Sequence, residues 1–235
     1  MSVQNPVFIA LDFPEATVAW RFLDQFPADQ QLAVKVGMEL FYREGPAFVA
    51  ALKERGYIVF LDLKLYDIPH TVGQATKNIA RLGVDYLTLH AAGGVRMMTA
   101  AKEAALAAAH GPKLLAITQL TSFTEAELQA TQQIAVSLND SVIHLAQLAQ
   151  QVGLAGVISS AYESQAIHAA TSDEFLSITP GIRLLGDAQG DQIRVMTPTQ
   201  AQQRGANGIV VGRSITQAVN PVATYEQVVT AFHKG

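Results

Sequence analysis

Residues 58–69 read IVFLDLKLYDIP, an unbroken apolar run that turns into a charged segment at its end. Ile58–Leu63 is too continuously apolar for a sheet with one face in water, and it suits a parallel strand covered on both faces. Because strand side chains alternate between faces, Asp62 and Lys64 point the same way, about 6–7 Å apart along the strand. The three leucines around them take the other face and pack against helices. The segment thus predicts a buried parallel strand that ends in a pair of opposite charges.

Apolar runs of the same kind recur along the whole chain. The eight predicted strands are Val7–Leu11, Leu32–Val36, Ile58–Leu63, Tyr86–Leu89, Lys113–Thr118, Gly156–Ile158, Phe175–Ile178 and Gly208–Val211. Helix-like stretches separate them, so strand and helix alternate eight times. Eight such units predict a single (β/α)8 barrel, the TIM barrel, with an open doubly wound sheet as the alternative.

Proline and glycine mark the ends of four predicted helices. Proline stands at or just before the start of three of them, and a Gly-Pro stop signal follows the fourth. They are Glu15–Gln25, Ala47–Arg55, a final helix that begins at Asn220-Pro221, and Val95–Ala109 before Gly111-Pro112.

The composition limits the class of protein. The chain has 235 residues, 49% of them hydrophobic and 15% charged, and no linker or shift in composition divides it, so we expect one domain over residues 1–235. The net charge of −4 gives no basic surface for nucleic acid, and the absence of cysteine excludes disulfides, thiolate catalysis and Cys-ligated metals. No signal peptide is recognisable, and no apolar run approaches the ~20 residues of a membrane span. We therefore expect a cytoplasmic protein that binds neither nucleic acid nor membrane.

Polar residues stand where the predicted strands end, which is the end of a (β/α)8 barrel that carries active sites. They are Asp12, Lys35, Asp62, Lys64, His90, Thr121, Ser122, Arg183 and the pair Gly212-Arg213. Taken singly, Asp12 could cap a helix, Lys35 could reach water from the barrel rim, and His90 could be a hydrogen-bonded core histidine. These separate explanations do not predict convergence on one face, so that face is the candidate site. His90 is given no role.

Two opposite charges that point into a barrel are costly to bury unless partners or a ligand compensate them. Asp62 and Lys64 therefore form either a structural ion pair or part of a catalytic site. Lys35, on the neighbouring predicted strand, adds a second cation to the same opening and favours the catalytic alternative.

The loops after the seventh and eighth predicted strands have features of a phosphate site. Gly212 allows the backbone to approach a ligand closely, and Arg213 can bind two phosphate oxygens at once. The other loop, residues 179–192, supplies Arg183. Its segment 184–191 contains two glycines and is predicted to close over a ligand.

Together these segments resemble the orotidine 5′-monophosphate decarboxylase family in its bacterial form. Residues 62–69, DLKLYDIP, match the family pattern Asp-x-Lys-x-x-Asp-Ile-Pro. Further matches are FIALD at 8–12, LTS at 120–122, TPGIR at 179–183, GDQ at 190–192 and VGRSIT at 211–216. Ser214 stands where many members have proline. We expect little effect, since the phosphate contacts come from the preceding residues.

The resemblance implies a cofactor-free enzyme that converts orotidine 5′-monophosphate to UMP and CO2. Lys64, held by Asp62 and Asp67, would stabilise negative charge at C6 of the pyrimidine and then protonate it, and Lys35 would complete the charged array. The resemblance also implies a homodimer in which Asp67 and Thr71 reach the site of the other subunit.

Further roles in substrate binding follow from the same resemblance. Asp12 and Lys35 would bind the ribose hydroxyls, with help from Thr71 of the other subunit. The remaining substrate-binding candidates are Thr121 and Ser122 beside the pyrimidine, Pro180, and Arg183, Gln192, Gly212 and Arg213 at the phosphate.

Two other functions fit parts of the sequence. Sugar-phosphate enzymes such as keto-gulonate-phosphate decarboxylase or hexulose-phosphate synthase share the Asp-x-Lys-x-x-Asp pattern, but they bind Mg²⁺ with a carboxylate on the second strand. Lys35 holds that position here and would repel the metal. A non-catalytic phosphate-ligand binding protein would need the cavity but not the array of Asp62, Lys64 and Asp67.

Overall fold

The computed structural model describes residues 5–184 and 195–234. These residues form a closed barrel of eight parallel strands, in which each strand pairs with the next along the chain. The strands are β1 (Val7–Ala10), β2 (Ala33–Gly37), β3 (Ile58–Leu65), β4 (Tyr86–His90), β5 (Lys113–Ile117), β6 (Gly156–Ile158), β7 (Leu176–Thr179) and β8 (Gly208–Val211). The barrel closes where β8 pairs with β1, with Ile209 opposite Val7. The predicted (β/α)8 barrel is confirmed, and the open doubly wound sheet is excluded.

Helices follow the strands around the outside of the barrel. Those described are α1 (Ala16–Leu23), α2 (Met38–Glu54), α3 (Pro69–Ala80), α4 (Gly94–Leu106), α5 (Glu125–Gln132), α6 (Leu138–Gln151), α7 (Ser164–Ala170), α8 (Pro198–Gln203), α9 (Arg213–Thr216) and α10 (Pro221–His233). A 3₁₀ turn at Ala91–Gly93 precedes α4. None of these helices is both long and apolar enough to cross a membrane.

The predicted helix Ala47–Arg55 is only the second part of α2, which begins at Met38. Gly45 has φ 70° and ψ −167°, a conformation outside the helix, and Pro46 begins the second part after this kink. Proline marked the start of that second part because its fixed φ suits a first helical turn. It gave no information about the helical residues before the kink.

The interpretation of residues 1–235 as one domain stays a prediction.

Apolar side chains fill the barrel and separate its two ends. Phe8, Phe60 and Tyr86 meet edge to face or tilted inside it, with ring centroids 5.2–6.2 Å apart. Alternate residues of the same strands, such as Ile9 and Leu61, are fully buried in the larger core between barrel and helices. This is the period-2 pattern of strands covered on both faces. Because side chains fill the interior, a ligand cannot bind inside the barrel itself and must bind outside this packed region.

Candidate active site

A cavity of about 1030 Å³ opens at the carboxyl ends of the strands. Its floor is apolar and includes Phe60, Ile117 and Val210. Charged and polar side chains from the strand ends stand around this floor. A mostly apolar base with a few convergent polar groups is the usual form of a small-molecule site.

Four charged side chains form a row of alternating sign along one side of the cavity. Lys35 Nζ lies 3.1 Å from Asp12 Oδ1 and 3.8 Å from Asp62 Oδ2. Lys64 Nζ donates a hydrogen bond of 2.8 Å to Asp62 Oδ2. The side chains of Lys35 and Asp62 are only 12% and 14% exposed. The structure thus brings together four of the residues that the sequence singled out, on three neighbouring strands.

The alternative prediction that Asp12 caps a helix is wrong. The N-cap of α1 is Glu15, whereas Asp12 accepts a hydrogen bond from Lys35. Lys35 reaches Asp12 across Gly37, where an added Cβ would lie 3.1 Å from Lys35 Nζ and 3.5 Å from Asp12 Oδ1. Gly37 therefore leaves the space that this ion pair uses.

The end of β3 departs from the regular strand that the sequence suggests. Leu61 pairs with Leu87 of β4, but the next pair is Leu65 with Leu89, so the register shifts between them. Lys64 has φ 52°, in the left-handed region. Asp62 and Lys64 still meet on one side, as predicted, while Leu63 is buried in the outer core. The departure is a β-bulge, a common way to redirect a side chain beside an active site.

Asp62 is a carboxylate at neutral pH. Burial raises the pKa of its carboxyl, but Lys35, Lys64 and the hydrogen bonds from Lys64 and Thr88 together outweigh burial, so the pKa lies below its ordinary value of 3.8. The site therefore holds a fixed negative charge between two ammonium groups.

His90, which had no role in the sequence analysis, lies at the end of β4 beside this row. Its ring packs against Tyr66, with centroids 5.4 Å apart. Burial, and then repulsion from Lys64, lower the pKa of His90 below its ordinary value of 6.5, against the smaller opposing effect of Asp62. The imidazole is therefore neutral at pH 7.

The other predicted binding residues on the strand-end loops also line the cavity. They are Thr121, Ser122, Pro180, Arg183, Gly212 and Arg213. Arg183 and Arg213 come from the loops after β7 and β8, which follow neighbouring strands, and both residues line the cavity. A cluster of this kind suits an anion such as phosphate.

The loop after β7 has hydrogen bonds at its base. Arg183 N donates to Met196 O at 3.0 Å, and Met196 N donates to Gly181 O at 3.3 Å. Gln192, predicted to bind the phosphate, lies outside the described residues, as does all but Leu184 of the segment 184–191 predicted to close over a ligand.

Asp67 and Thr71 are not among the cavity residues of the described chain. Asp67 Oδ1 accepts a hydrogen bond of 2.6 Å from Ile68 N, and both predicted residues are exposed. Their neighbours Tyr66 and Ile68 are also exposed, at 62% and 66%. One chain by itself therefore does not bring Asp67 or Thr71 into its own cavity.

The sequence analysis missed Thr88 and Gln119, which contact or line the candidate site. Thr88 is fully buried and hydrogen-bonds to Asp62 and Lys64. Gln119, which lines the cavity, donates to Ser141 Oγ at 2.9 Å and accepts from Gln132 at 3.0 Å. Thr88 had a usable signal, because it shares the inward face of β4 with Tyr86 and is polar in an apolar run. Gln119 follows β5 in a loop, where a glutamine is unremarkable.

Among residues 5–184 and 195–234, no group of three or more His, Cys, Asp or Glu side chains has an arrangement that could hold a metal ion. In the charged row, an ammonium group stands between Asp12 and Asp62. The charge of that ammonium group opposes binding of a divalent cation between the two carboxylates.

Known proteins resemble this chain over nearly its full length. The model of the "Orotidine 5'-phosphate decarboxylase / HUMPS family" matches residues 5–228. A protein of Oenococcus oeni named orotidine 5'-phosphate decarboxylase is 53% identical over 231 residues, covering 98% of this chain and 100% of that protein. A protein of the same name from Lactiplantibacillus plantarum is 53% identical over 235 residues, covering 98% and 99%.

Solved structures share both the fold and much of the sequence. The crystal structure of orotidine 5'-phosphate decarboxylase from Lactobacillus acidophilus matches with a TM-score of 0.88 and 39% identity, covering 97% of this chain and 99% of that one. A conserved protein of Geobacillus kaustophilus matches with a TM-score of 0.87 and 44% identity, covering 97% and 100%. This chain belongs to the orotidine 5'-phosphate decarboxylase / HUMPS family.

Proposed function

We propose that this protein is an orotidine 5′-monophosphate decarboxylase, a carboxy-lyase that forms UMP and CO2 in de novo pyrimidine biosynthesis. The observation that carries the proposal is the alternating row of Asp12, Lys35, Asp62 and Lys64 at the edge of an apolar cavity floor. Relatives with this name are 53% identical over nearly the whole chain, which supports the choice of substrate.

The proposed mechanism is electrostatic and uses no cofactor. Loss of CO2 from C6 leaves a carbanion that the pyrimidine ring delocalises poorly. Lys64 stabilises the negative charge as it develops at C6 and then donates its proton. Asp62 holds the Lys64 ammonium by the 2.8 Å hydrogen bond, and Asp67 of the partner subunit completes the array. In a site closed to water this interaction is much stronger than in solution.

The cavity accommodates the rest of the nucleotide in the same proposal. Asp12 and Lys35 bind the ribose hydroxyls, with Thr71 of the partner subunit. The base lies against Pro180, with Thr121 and Ser122 at its polar edge. The phosphate is bound by Arg183, Gln192, Gly212 and Arg213.

A homodimer is part of this proposal. Asp67 and Thr71 are exposed and do not line their own cavity, and the exposed Tyr66 and Ile68 beside Asp67 supply apolar surface for an interface. We further propose that the dimer works in the cytoplasm, where nucleotide synthesis takes place.

The test is the loss of orotidine 5′-monophosphate absorbance with purified protein in excess chelator. We expect turnover in the wild type and a fall of about 1000-fold or more in Lys64→Ala, because the carbanion loses its cation and proton donor. Lys113→Ala is the matched control, since Lys113 is exposed at the opposite end of the barrel on β5. It should keep wild-type turnover.

Absence of turnover in the wild type would reject the proposed reaction. Equal turnover in the wild type and Lys64→Ala would reject the role of Lys64.

The chelator also separates this reaction from that of the Mg²⁺-dependent sugar-phosphate enzymes that share the Asp-x-Lys-x-x-Asp pattern. Lys35 Nζ lies between carboxylate oxygens of Asp12 and Asp62, where its charge would oppose a divalent cation. Turnover of a sugar phosphate that chelator abolishes would favour that alternative.

A further inference from the structure

The bulge in β3 leaves one buried residue of β4 opposite the catalytic segment. Leu61 pairs with Leu87 and Leu65 pairs with Leu89, so residues 62–64 of β3 face the single intervening residue of β4, Thr88. Ordinary ladder pairing is lost over this stretch. The groups that the ladder would have paired must find other partners, because unpaired buried polar groups are costly.

The Thr88 hydroxyl pairs with the backbone at the bulge. Lys64 N donates to Thr88 Oγ1 at 2.9 Å. Lys64 has φ 52°, a conformation that non-glycine residues rarely adopt and that persists only where the surroundings enforce it. A threonine side chain suits this task, because its branched Cβ restricts the rotamers of a hydroxyl that is here fully buried.

The same hydroxyl also orients the Asp62 carboxylate. Thr88 Oγ1 donates to Asp62 Oδ1 at 2.9 Å. With Oδ1 bound in this way, Oδ2 is turned towards the two cations, at 2.8 Å from Lys64 Nζ and 3.8 Å from Lys35 Nζ. One hydroxyl thus accepts from the backbone of Lys64 and donates to the carboxylate that holds the Lys64 ammonium.

We propose that Thr88 is a positioning residue for decarboxylation, which fixes the position of the Lys64 backbone relative to the Asp62 carboxylate. The inference rests on the proposed function, in which Lys64 meets the reacting carbon. Thr88 acts only through Asp62 and Lys64, and its hydroxyl is satisfied by them before any ligand arrives.

The kinetic test compares Thr88→Val with Thr88→Ser on orotidine 5′-monophosphate. Valine has the shape of threonine but cannot pair with either partner, so we expect kcat to fall by about 10- to 100-fold. KM should change by less than about threefold, because Thr88 contacts no ligand and the phosphate and ribose residues are unaltered. Serine keeps the hydroxyl and should restore kcat to within about threefold of the wild type.

Ser177→Ala is the matched control for loss of a buried hydroxyl. Ser177 lies on β7, is fully buried, and is hydrogen-bonded to Ser159 at 3.1 Å and to Ser164 at 2.8 Å. Its loss should lower thermal stability but leave kcat unchanged. If Thr88→Val is unfolded, Thr88→Cys replaces it, because the cysteine thiol is only a weak hydrogen-bonding group.

A second readout does not depend on turnover. Nuclear magnetic resonance can follow exchange of the Lys64 amide proton with solvent, and we expect exchange at least about tenfold faster in Thr88→Val than in the wild type or Thr88→Ser. Unchanged exchange, kcat within about twofold of the wild type, or failure of serine to restore kcat would each overturn the role of Thr88. A wild type that does not turn over the nucleotide would reject the proposed function instead. The exchange measurement would still test the hydrogen bond between Lys64 N and Thr88 Oγ1.

Discussion

Lys64 combines a strained backbone with the most reactive position in the proposed mechanism. Its φ of 52° lies in the left-handed region, which costs a non-glycine residue of order 1 kcal/mol or more. Such outliers cluster at functional sites, because the surrounding structure holds a geometry that the chain alone would not choose. Here the hydrogen bonds of Thr88 and Asp62 provide that constraint.

His90 makes the stability of the protein depend on pH near neutrality. Its pKa in the folded protein lies below the unfolded value of 6.5. Between those two values the unfolded chain binds a proton that the folded chain does not, so the free energy of unfolding falls as the pH drops below about 6.5. We expect His90→Asn to lose less stability than the wild type between about pH 7.5 and pH 5.5.

The measurement is urea unfolding at both pH values. His110→Asn, at an exposed histidine, serves as the control and should follow the wild type. Equal pH dependence in His90→Asn and the wild type would mean that His90 does not titrate differently on folding.

At the scale of elements, the kink in α2 depends on a single glycine. Gly45 has φ 70° and ψ −167°, a region that is essentially limited to glycine, although an added Cβ would meet nothing within 4 Å. We expect Gly45→Ala to lower the free energy of unfolding by about 1–2 kcal/mol, because the cost is conformational and not steric. Urea unfolding would show this as a lower midpoint with an unchanged slope.

Pro46→Ala is the neighbouring control for this prediction. It leaves the glycine conformation intact and should shift the midpoint less. A urea midpoint of Gly45→Ala equal to that of the wild type would contradict this prediction, because it would show that alanine adopts the kink conformation without loss of stability.

At the scale of the whole molecule, the proposed active site needs two chains. If Asp67 of the partner subunit completes each site, Lys64→Ala and Asp67→Ala are both inactive alone. A heterodimer of the two has one complete site, because one subunit supplies Lys64 and the other supplies Asp67. Random exchange should therefore restore about a quarter of wild-type activity.

The experiment unfolds and refolds the two variants together and measures decarboxylation. A mixture of Lys64→Ala with the double variant Lys64→Ala/Asp67→Ala is the control and should stay inactive. If Asp67→Ala is inactive alone and the first mixture also stays inactive, Asp67 acts in the site of its own chain; activity of Asp67→Ala alone would place Asp67 outside the site.

The amino-acid sequence alone determined the barrel and the face on which the candidate site lies. Parallel strands covered on both faces require continuous apolar runs, so the eight strands are visible in the sequence. The charges of Lys35, Asp62 and Lys64 stand out because each interrupts or ends such a run. Their meeting at one end follows from strand direction alone.

Only the tertiary structure decided how those charges are held. The bulge in β3 and the contact of Thr88 with Lys64 depend on the register between β3 and β4, which are separated by helix α3. Local alternation predicts faces but not register, so it gives no means of finding a hydroxyl 24 residues away that supports Lys64. Likewise Asp67 and Thr71 are exposed and do not line the cavity of their own chain, which depends on the packing of the whole chain and not on its local pattern.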